Sequence, residues 1–391
     1  MTPSRISTRA GRFSESVIRE MTRVARRHDA VNLAQGFPDF PAPDLLKEAA
    51  CRAIRADVNQ YAVTWGTPRL RTALARRYLA AYGLEVDPDR EIVVTCGATE
   101  AMAAVFLALF DPGDEVLIPE PFYENYGPDA ILAGATPVYV PLQEPDLRFD
   151  ADAFAHRITS KTRAIVLNTP NNPTGRVFSR SELEAVAKLC RTHGLIAITD
   201  EIYEYITYGG EHLSLATFDG MRDRTVIVSG ASKTFAVTGW RVGTIVAPPD
   251  ITVAVRAVHD FLTVGAPAPL QEAVAEAMET LDESYYGSLG AEYRERRDVL
   301  VPGLREVGFQ CRMPEGAYYV MADISALADG ADDVAFSHRL VKEAGVAPVP
   351  GSSFFSTPDA GRHLVRFAFC KKLDTLAEAV DRLARFTRLG S

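Results

Sequence analysis

The sequence predicts an α/β fold: a large domain with a mostly parallel seven-stranded sheet flanked by helices, plus a smaller α+β domain. Three observations carry this. From about residue 91 short apolar segments alternate with helical ones, the order expected of strands connected through covering helices. Several of the apolar segments run without polar interruption, as strands buried on both faces do. After residue 250 the pattern changes to helices, followed by a mixed strand and helix arrangement to the end.

In order, the strands are EIVVTCG (91–97), EVLIPEP (115–121), TPVYVPL (136–142), RAIVLNTP (163–170), LIAITDEIY (195–203), TVIVSGASK (225–233) and RVGTIVAPP (241–249). They are rich in β-branched residues and bounded by Gly, Pro, Asn and Asp. Helices are expected at 98–110, 123–134 and 179–194, where apolar residues recur at helical spacing. Further helices follow at 251–262 and 270–281, and a long charged one at 291–308. We place the large domain at 45–282 and the small one at 1–44 with 283–391, the N-terminal segment returning to pack on the C-terminal part.

A chain of 391 residues is long for one core and suits two domains. With 47% hydrophobic and 24% charged residues it reads as globular. The net charge of −9 argues against nucleic acid as a partner, since binding a phosphate backbone needs a basic face. The start lacks the apolar core of a signal peptide, and AMAAVFLALF (101–110) is too short to span a bilayer. We therefore expect a cytoplasmic protein with no membrane partner. The five cysteines are scattered, which fits reduced thiols, and the seven histidines form no HExxH, so no metal is expected.

Ligands of parallel α/β sheets sit outside the carboxyl ends of the strands, which directs attention to Gly97, Ala98 and Thr99, to 168–175, to 200–203, and to 229–233. Lys233 follows a buried strand. GASKT is not a P-loop, because Ser232 and Ile227 hold the places where that motif needs glycine. An isolated lysine at a strand end usually just reaches for water. Arg241, eight residues on, changes the reading: a lysine shielded from water beside a cation has a lowered pKa and can attack a carbonyl. Arg241 also offers a fork for phosphate, with Ser229 and Ser232 adding hydroxyls. The turn Gly97-Ala98-Thr99 opens a helix whose free N–H groups suit the same anion. Asp200 either caps the next segment or faces Lys233 and holds a protonated ring nitrogen. Tyr203 is a core tyrosine or a partner for a ring oxygen, and Asn172 in TPNNPTG is a turn residue or a second such partner.

An aldehyde-reactive lysine, phosphate donors and a ring-nitrogen acid together describe a site for pyridoxal 5′-phosphate (PLP). Almost the whole chain resembles the class I/II aminotransferases of PLP fold type I. The motifs are NLAQGFPDF, NQYAVTWGTPRLR, TCGATEA, EPFYENY, TPNNPTG, DEIYEYI, SGASKTFAVTGWRVG and HLVRFAF. NLAQGFPDF and the TGW-Arg turn are most similar to the subgroup of kynurenine, glutamine, methionine and some prokaryotic aspartate aminotransferases. By this resemblance Lys233 is the Schiff-base lysine, Arg241 and Ser232 bind the phosphate, and amides of Ala98 and Thr99 complete the cup. Asp200 pairs with the pyridinium nitrogen, Asn172 and Tyr203 hold the phenolic oxygen, and Tyr123, rather than Phe122, stacks on the ring. Arg366 grips the substrate α-carboxylate, helped by the Gly36 backbone, and Tyr61 reaches the phosphate of a neighbouring subunit, which implies a homodimer with shared sites. Where some members have serine three residues before the lysine, this chain has Gly230, leaving that hydroxyl contact absent or supplied by Ser229.

The implied reaction is transfer of the α-amino group of an L-amino acid to a 2-oxo acid in two half-reactions, with Lys233 as covalent anchor and then acid/base catalyst. HDFLTVGAPA (259–268) has no arginine for a distal carboxylate, while Tyr126, Phe261, Tyr318 and Phe354 could line a neutral pocket, so neutral or aromatic donors are favoured. Arg12, Arg19 or Arg23 could still recruit aspartate. A C–S β-lyase is the alternative on the same constellation. A non-catalytic sensor is a further one, but the PLP-fold match uses up the length that a DNA-binding module would need.

Overall fold

The computed structural model describes residues 5, 7, 8, 10–13 and 15–389. Seven strands, β1 (Ile92–Thr95), β2 (Glu115–Glu120), β3 (Thr136–Pro141), β4 (Thr162–Asn168), β5 (Ile196–Asp200), β6 (Thr225–Gly230) and β7 (Gly243–Val246), form one sheet in the order β1-β7-β6-β5-β4-β2-β3. Neighbours from β3 to β6 pair in parallel, whereas β7 runs antiparallel to both β6 and β1. The sheet is thus mixed, with one reversed strand. The reversal has a local cause: a parallel return needs a long crossover, and between β6 and β7 the chain makes only the short helices Ala231–Thr234 and Thr238–Trp240. Because the chain turns straight back, Lys233 and Arg241 stay at one edge of the sheet.

Successive side chains of a strand point to opposite faces, and here both faces are apolar. Val93, Val116, Val166, Ile198 and Val228 pack on one side with helix Ala98–Leu109. On the other side Leu117, Ile165 and Leu167 meet helix Arg180–His193, and Ile92, Val94 and Ile227 meet helices Pro68–Tyr82 and Ala268–Thr280. Helix Arg180–His193 is fixed at its start by a reciprocal Ser179–Glu182 capping box.

A second, antiparallel sheet orders Val349–Pro350, Leu364–Ala368, Tyr319–Asp323 and Gln310–Cys311. The N-terminal segment joins this part of the molecule: Val31–Asn32 pairs in parallel with Val346–Ala347, and Met21, Val24 and Ala25 of helix Val17–Arg27 pack on Val341, Val349 and Phe354. That packing brings residues 34–37 to the rim of the large sheet.

Candidate active site

At the carboxyl ends of β4, β5 and β6 lies a cavity of about 530 Å³. Its wall takes in every residue assigned a cofactor or α-carboxylate role by the resemblance except Gly97 and Tyr61, while Ser229 and the side-chain-pocket candidates Phe261, Tyr318 and Phe354 lie outside it. Gly97 lies just behind it: φ is +82°, and a Cβ there would fall 2.2 Å from Arg241 Nη2, so the guanidinium occupies the space a side chain would take. Gly97 ends the strand segment and frees the first amides of helix Ala98–Leu109, with Ala98 and Thr99 lining the cavity. Arg241 is held by the Thr238 carbonyl at 3.1 Å and Thr99 Oγ1 at 3.5 Å. Arg241, buried Ser232 and a helix N-terminus therefore form one anion-binding corner.

Ser229 does not contribute to it. Its hydroxyl donates to Glu204 Oε1 at 2.8 Å, on the face of the sheet that Ile227 shares. The expectation that Ser229 replaces the contact missing at Gly230 is therefore corrected.

At the other end stands Asp200, buried at the last position of β5. Tyr126 donates to its Oδ2 at 2.7 Å and the Ile202 amide to its Oδ1 at 3.3 Å. Burial pushes its carboxyl up to about 6 against those hydrogen bonds and the nearby Lys233 charge. Tyr126, a candidate for a neutral substrate pocket, does line the cavity, and its hydroxyl is engaged by Asp200. Asn168, which opens the 168–175 segment marked from sequence without a role of its own, ties two strand ends together, donating to the Asp200 carbonyl at 2.9 Å and accepting from the Asn172 amide at 2.7 Å.

Lys233 donates to the Gly36 carbonyl at 3.2 Å. Burial pulls its amine down to about 8, with the charges of Arg241 and Arg366 acting in the same direction and Cys370 and Asp200 opposing. Tyr203 lines the wall and shares a 3.1 Å contact between hydroxyls with Tyr319. Tyr123 also lines the cavity, while its neighbour Phe122 is buried against Tyr139, ring centroids 4.7 Å apart.

Arg366 comes from the middle of the small sheet and is 1% exposed. It donates to Asn172 Oδ1 at 2.8 Å and to the Ala34 carbonyl, and its Cζ lies 4.3 Å from the Tyr319 ring centroid and 4.8 Å from that of Phe354. Its buried Nε has no partner, and among the described residues no carboxylate pairs with it. A buried cation in that state is built for an incoming anion. Since Arg366 takes the Asn172 carbonyl oxygen, the amide NH₂ is the end left to meet an acceptor.

Of the other residues considered for a neutral pocket, Tyr318 donates to the Gly36 carbonyl at 3.0 Å, and Phe261 is 91% exposed and away from the cavity. Ile18, Arg19, Gln35 and Phe37 line the site from the N-terminal segment; of these only Arg19 was anticipated. Tyr61 is 87% exposed. Among the described residues no His/Cys/Asp/Glu group could hold a metal ion, and no helix is long and apolar enough to cross a membrane.

The donor set fits PLP at both ends: cations and free amides for a phosphate, a buried carboxylate for a ring N–H, and a lysine with a lowered pKa between them. The aminotransferase class I and II family model matches residues 28–383. A probable N-succinyldiaminopimelate aminotransferase of Mycobacterium tuberculosis is 43% identical over 95% of this chain and 96% of its own length. Human kynurenine–oxoglutarate transaminase 1 is 39% identical, with 94% of each chain covered. The structure of an Escherichia coli methionine aminotransferase superposes with a TM-score of 0.93 at 36% identity, over 98% of this chain and 100% of that one. The chain belongs to the class I and II aminotransferases, enzymes that move amino groups between amino acids and 2-oxo acids with pyridoxal phosphate.

Proposed function

We propose that this aminotransferase works at the cavity just described, on neutral or aromatic L-amino acids with a 2-oxo acid as acceptor. The observation that carries it is the meeting, in one enclosure, of Lys233, Asp200, the Arg241 corner and the unpaired Arg366. Arg241, Ser232 and the amides of Ala98 and Thr99 would hold the phosphate. Tyr123 would cover the ring face, and Asn172 and Tyr203 would hold the phenolic oxygen. PLP when bound supplies an electron sink for the bond broken at the substrate Cα. Asp200, ionised beside a ring N–H, keeps that nitrogen protonated. Arg366 fixes the α-carboxylate, and Lys233 anchors the cofactor and, once released, takes the α-proton and returns it.

For the side chain of the donor, Ile18 and Phe37 offer apolar surface. The names of the kynurenine and methionine relatives agree with this. A second class of donor, with a distal acid, is supported by Arg19, which lines the cavity; Arg12 does not, and Arg23 is paired with Glu15. The proposal includes a cytoplasmic homodimer with Tyr61 reaching the partner's phosphate, and the division at 45–282 with 1–44 and 283–391 as the small domain.

The test is a donor panel with a 2-oxo acid acceptor and identification of the keto acids, alongside Lys233→Ala. Turnover in the variant should fall by several orders of magnitude, and borohydride should no longer fix PLP to the peptide holding residue 233. Multiple turnover by Lys233→Ala, or activity with aspartate alone, would overturn the corresponding part.

A further inference from the structure

His259 is fully buried on helix Pro249–Leu262. Its Nε2 lies 2.8 Å from the Thr64 carbonyl oxygen and its Nδ1 2.6 Å from Glu100 Oε1. A backbone carbonyl can only accept, and so can an ionised carboxylate. Glu100 is held as a carboxylate by two further donors, the Cys96 amide at Oε2 and the Thr263 hydroxyl at Oε1. Both ring nitrogens must then carry hydrogen, and a neutral imidazole has only one N–H. The ring fits its surroundings as an imidazolium.

Of the segments it joins, the helix that opens at Ala98 belongs to this chain's phosphate corner, and the Thr64 loop carries Tyr61, assigned above to the partner's. Glu100 stands in the first turn of helix Ala98–Leu109, whose amides face the cavity, and the Cys96 amide that it accepts from lies just before Gly97. Thr64 belongs to the loop that begins at Tyr61, and the next residue, Trp65, accepts from the Val94 amide of β1. We infer that the His259 imidazolium is a positioning residue for the cofactor phosphate, clamping the Gly97 turn and the Tyr61 loop together from behind. This rests on the phosphate-corner reading above.

Loss of the proton leaves one N–H for the Thr64 carbonyl and the Glu100 carboxylate, so one of these two joints loses its donor; the Thr263 hydroxyl, 3.4 Å from Nδ1, can meet a lone pair there but does not restore the link to Glu100. Of the titratable groups acting on the ring, Glu100 comes from the helix that opens at Ala98 and Asp260 from its own helix, while the Thr64 loop contributes a backbone carbonyl. Glu100 and Asp260 raise the proton affinity of His259 above the ordinary histidine value, against burial, which acts first and lowers it. A raised value means that the clamp is complete at low pH and is lost as pH rises through that value.

The test has a readout independent of activity. Side-chain ¹⁵N NMR of the PLP-loaded protein at pH 7 should show the histidine signal that disappears in His259→Gln with both nitrogens protonated, distinct from that of His212, which also faces a glutamate, and Glu100→Gln should shift its titration to lower pH. PLP affinity, measured by titrating cofactor-free protein, should fall about tenfold in His259→Gln, and the variant should lose the alkaline weakening that the unaltered protein shows. A neutral tautomer at position 259 at pH 7, or a folded His259→Gln with unchanged affinity and pH profile, would overturn the inference. If Arg241→Ala also bound PLP as the unaltered protein does, the phosphate corner itself would fall, and this inference with it.

Discussion

Lys233 and Asp200 face one cavity with their pKa values displaced toward each other, and burial is the main cause of both displacements. For Lys233, held at about 8, the folded state favours the neutral amine, so this group's penalty is greatest at low pH and is relieved as pH rises from about 8 toward 10.5. Asp200, raised to about 6, favours its protonated form, so its penalty grows as pH rises from about 4 to 6. At pH 7.5 an amine titrating near 8 is neutral roughly two hundred times more often than an ordinary lysine. Capture of PLP by cofactor-free protein, followed by stopped-flow absorbance, should therefore accelerate with a midpoint near pH 8; a midpoint near 10.5 would mean that Lys233 is solvated. Both residues were legible because they end buried strands at the ligand-binding rim. Arg366 lies in the other sheet and could be found only through the resemblance of its HLVRFAF motif. The Ser229 error was avoidable in principle: strand alternation puts it with Ile227, away from Val228. Nothing local in YENYGPD signals that the Tyr126 hydroxyl meets a carboxylate from a distant strand.

The decisive element is the strand-turn-helix around Gly97, where backbone conformation and the proposed phosphate site are the same feature. At φ +82° an L-residue is strained by about 1 kcal/mol or more, and the added Cβ would displace the Arg241 guanidinium. Gly97→Ala should therefore weaken PLP binding at least tenfold while leaving the far-UV circular dichroism intact, and unchanged affinity by cofactor titration would remove Arg241 from the phosphate site. All seven strands of the large sheet could be read from their apolar runs. The reversal of β7 could not, since a strand buried on both faces has the same pattern in either direction. The clue available was the connection: residues 231–242 are at the lower limit for a crossover, and their Gly239 and turn residues leave room for only two short helices, Ala231–Thr234 and Thr238–Trp240. The β1–β7–β6 arrangement is what sets Gly97 beside Arg241, because Thr95 pairs with Gly243 and Gly230 pairs with the same residue from the other side.

Across the whole molecule, the large apolar side chains left in solvent are informative because burial elsewhere is thorough. Tyr61 and Val63 on one segment, and Phe261, Leu262 and Val264 on another, are exposed, and the two segments are joined through the His259–Thr64 hydrogen bond. Grouped apolar side chains of this kind mark a surface meant to be covered. From sequence, Phe261 had been a candidate for the substrate wall; an apolar residue at a helix end reads the same whether it meets a core, a ligand or another chain. If this face joins two copies, each delivers its Tyr61 toward the other's phosphate corner, and assembly and activity must fail together. Covering one phenylalanine is worth about 1.5–3 kcal/mol, and replacing it with a carboxylate adds a desolvation cost. Phe261→Glu should therefore weaken self-association at least tenfold to a hundredfold, with specific activity falling on dilution at the concentration where sedimentation shows monomers. Tyr61→Phe should leave the dimer intact and raise the PLP dissociation constant, since it removes a hydroxyl and no apolar surface. A monomeric protein with full activity would exclude a shared site, and a Phe261→Glu dimer of unchanged affinity would put the interface elsewhere.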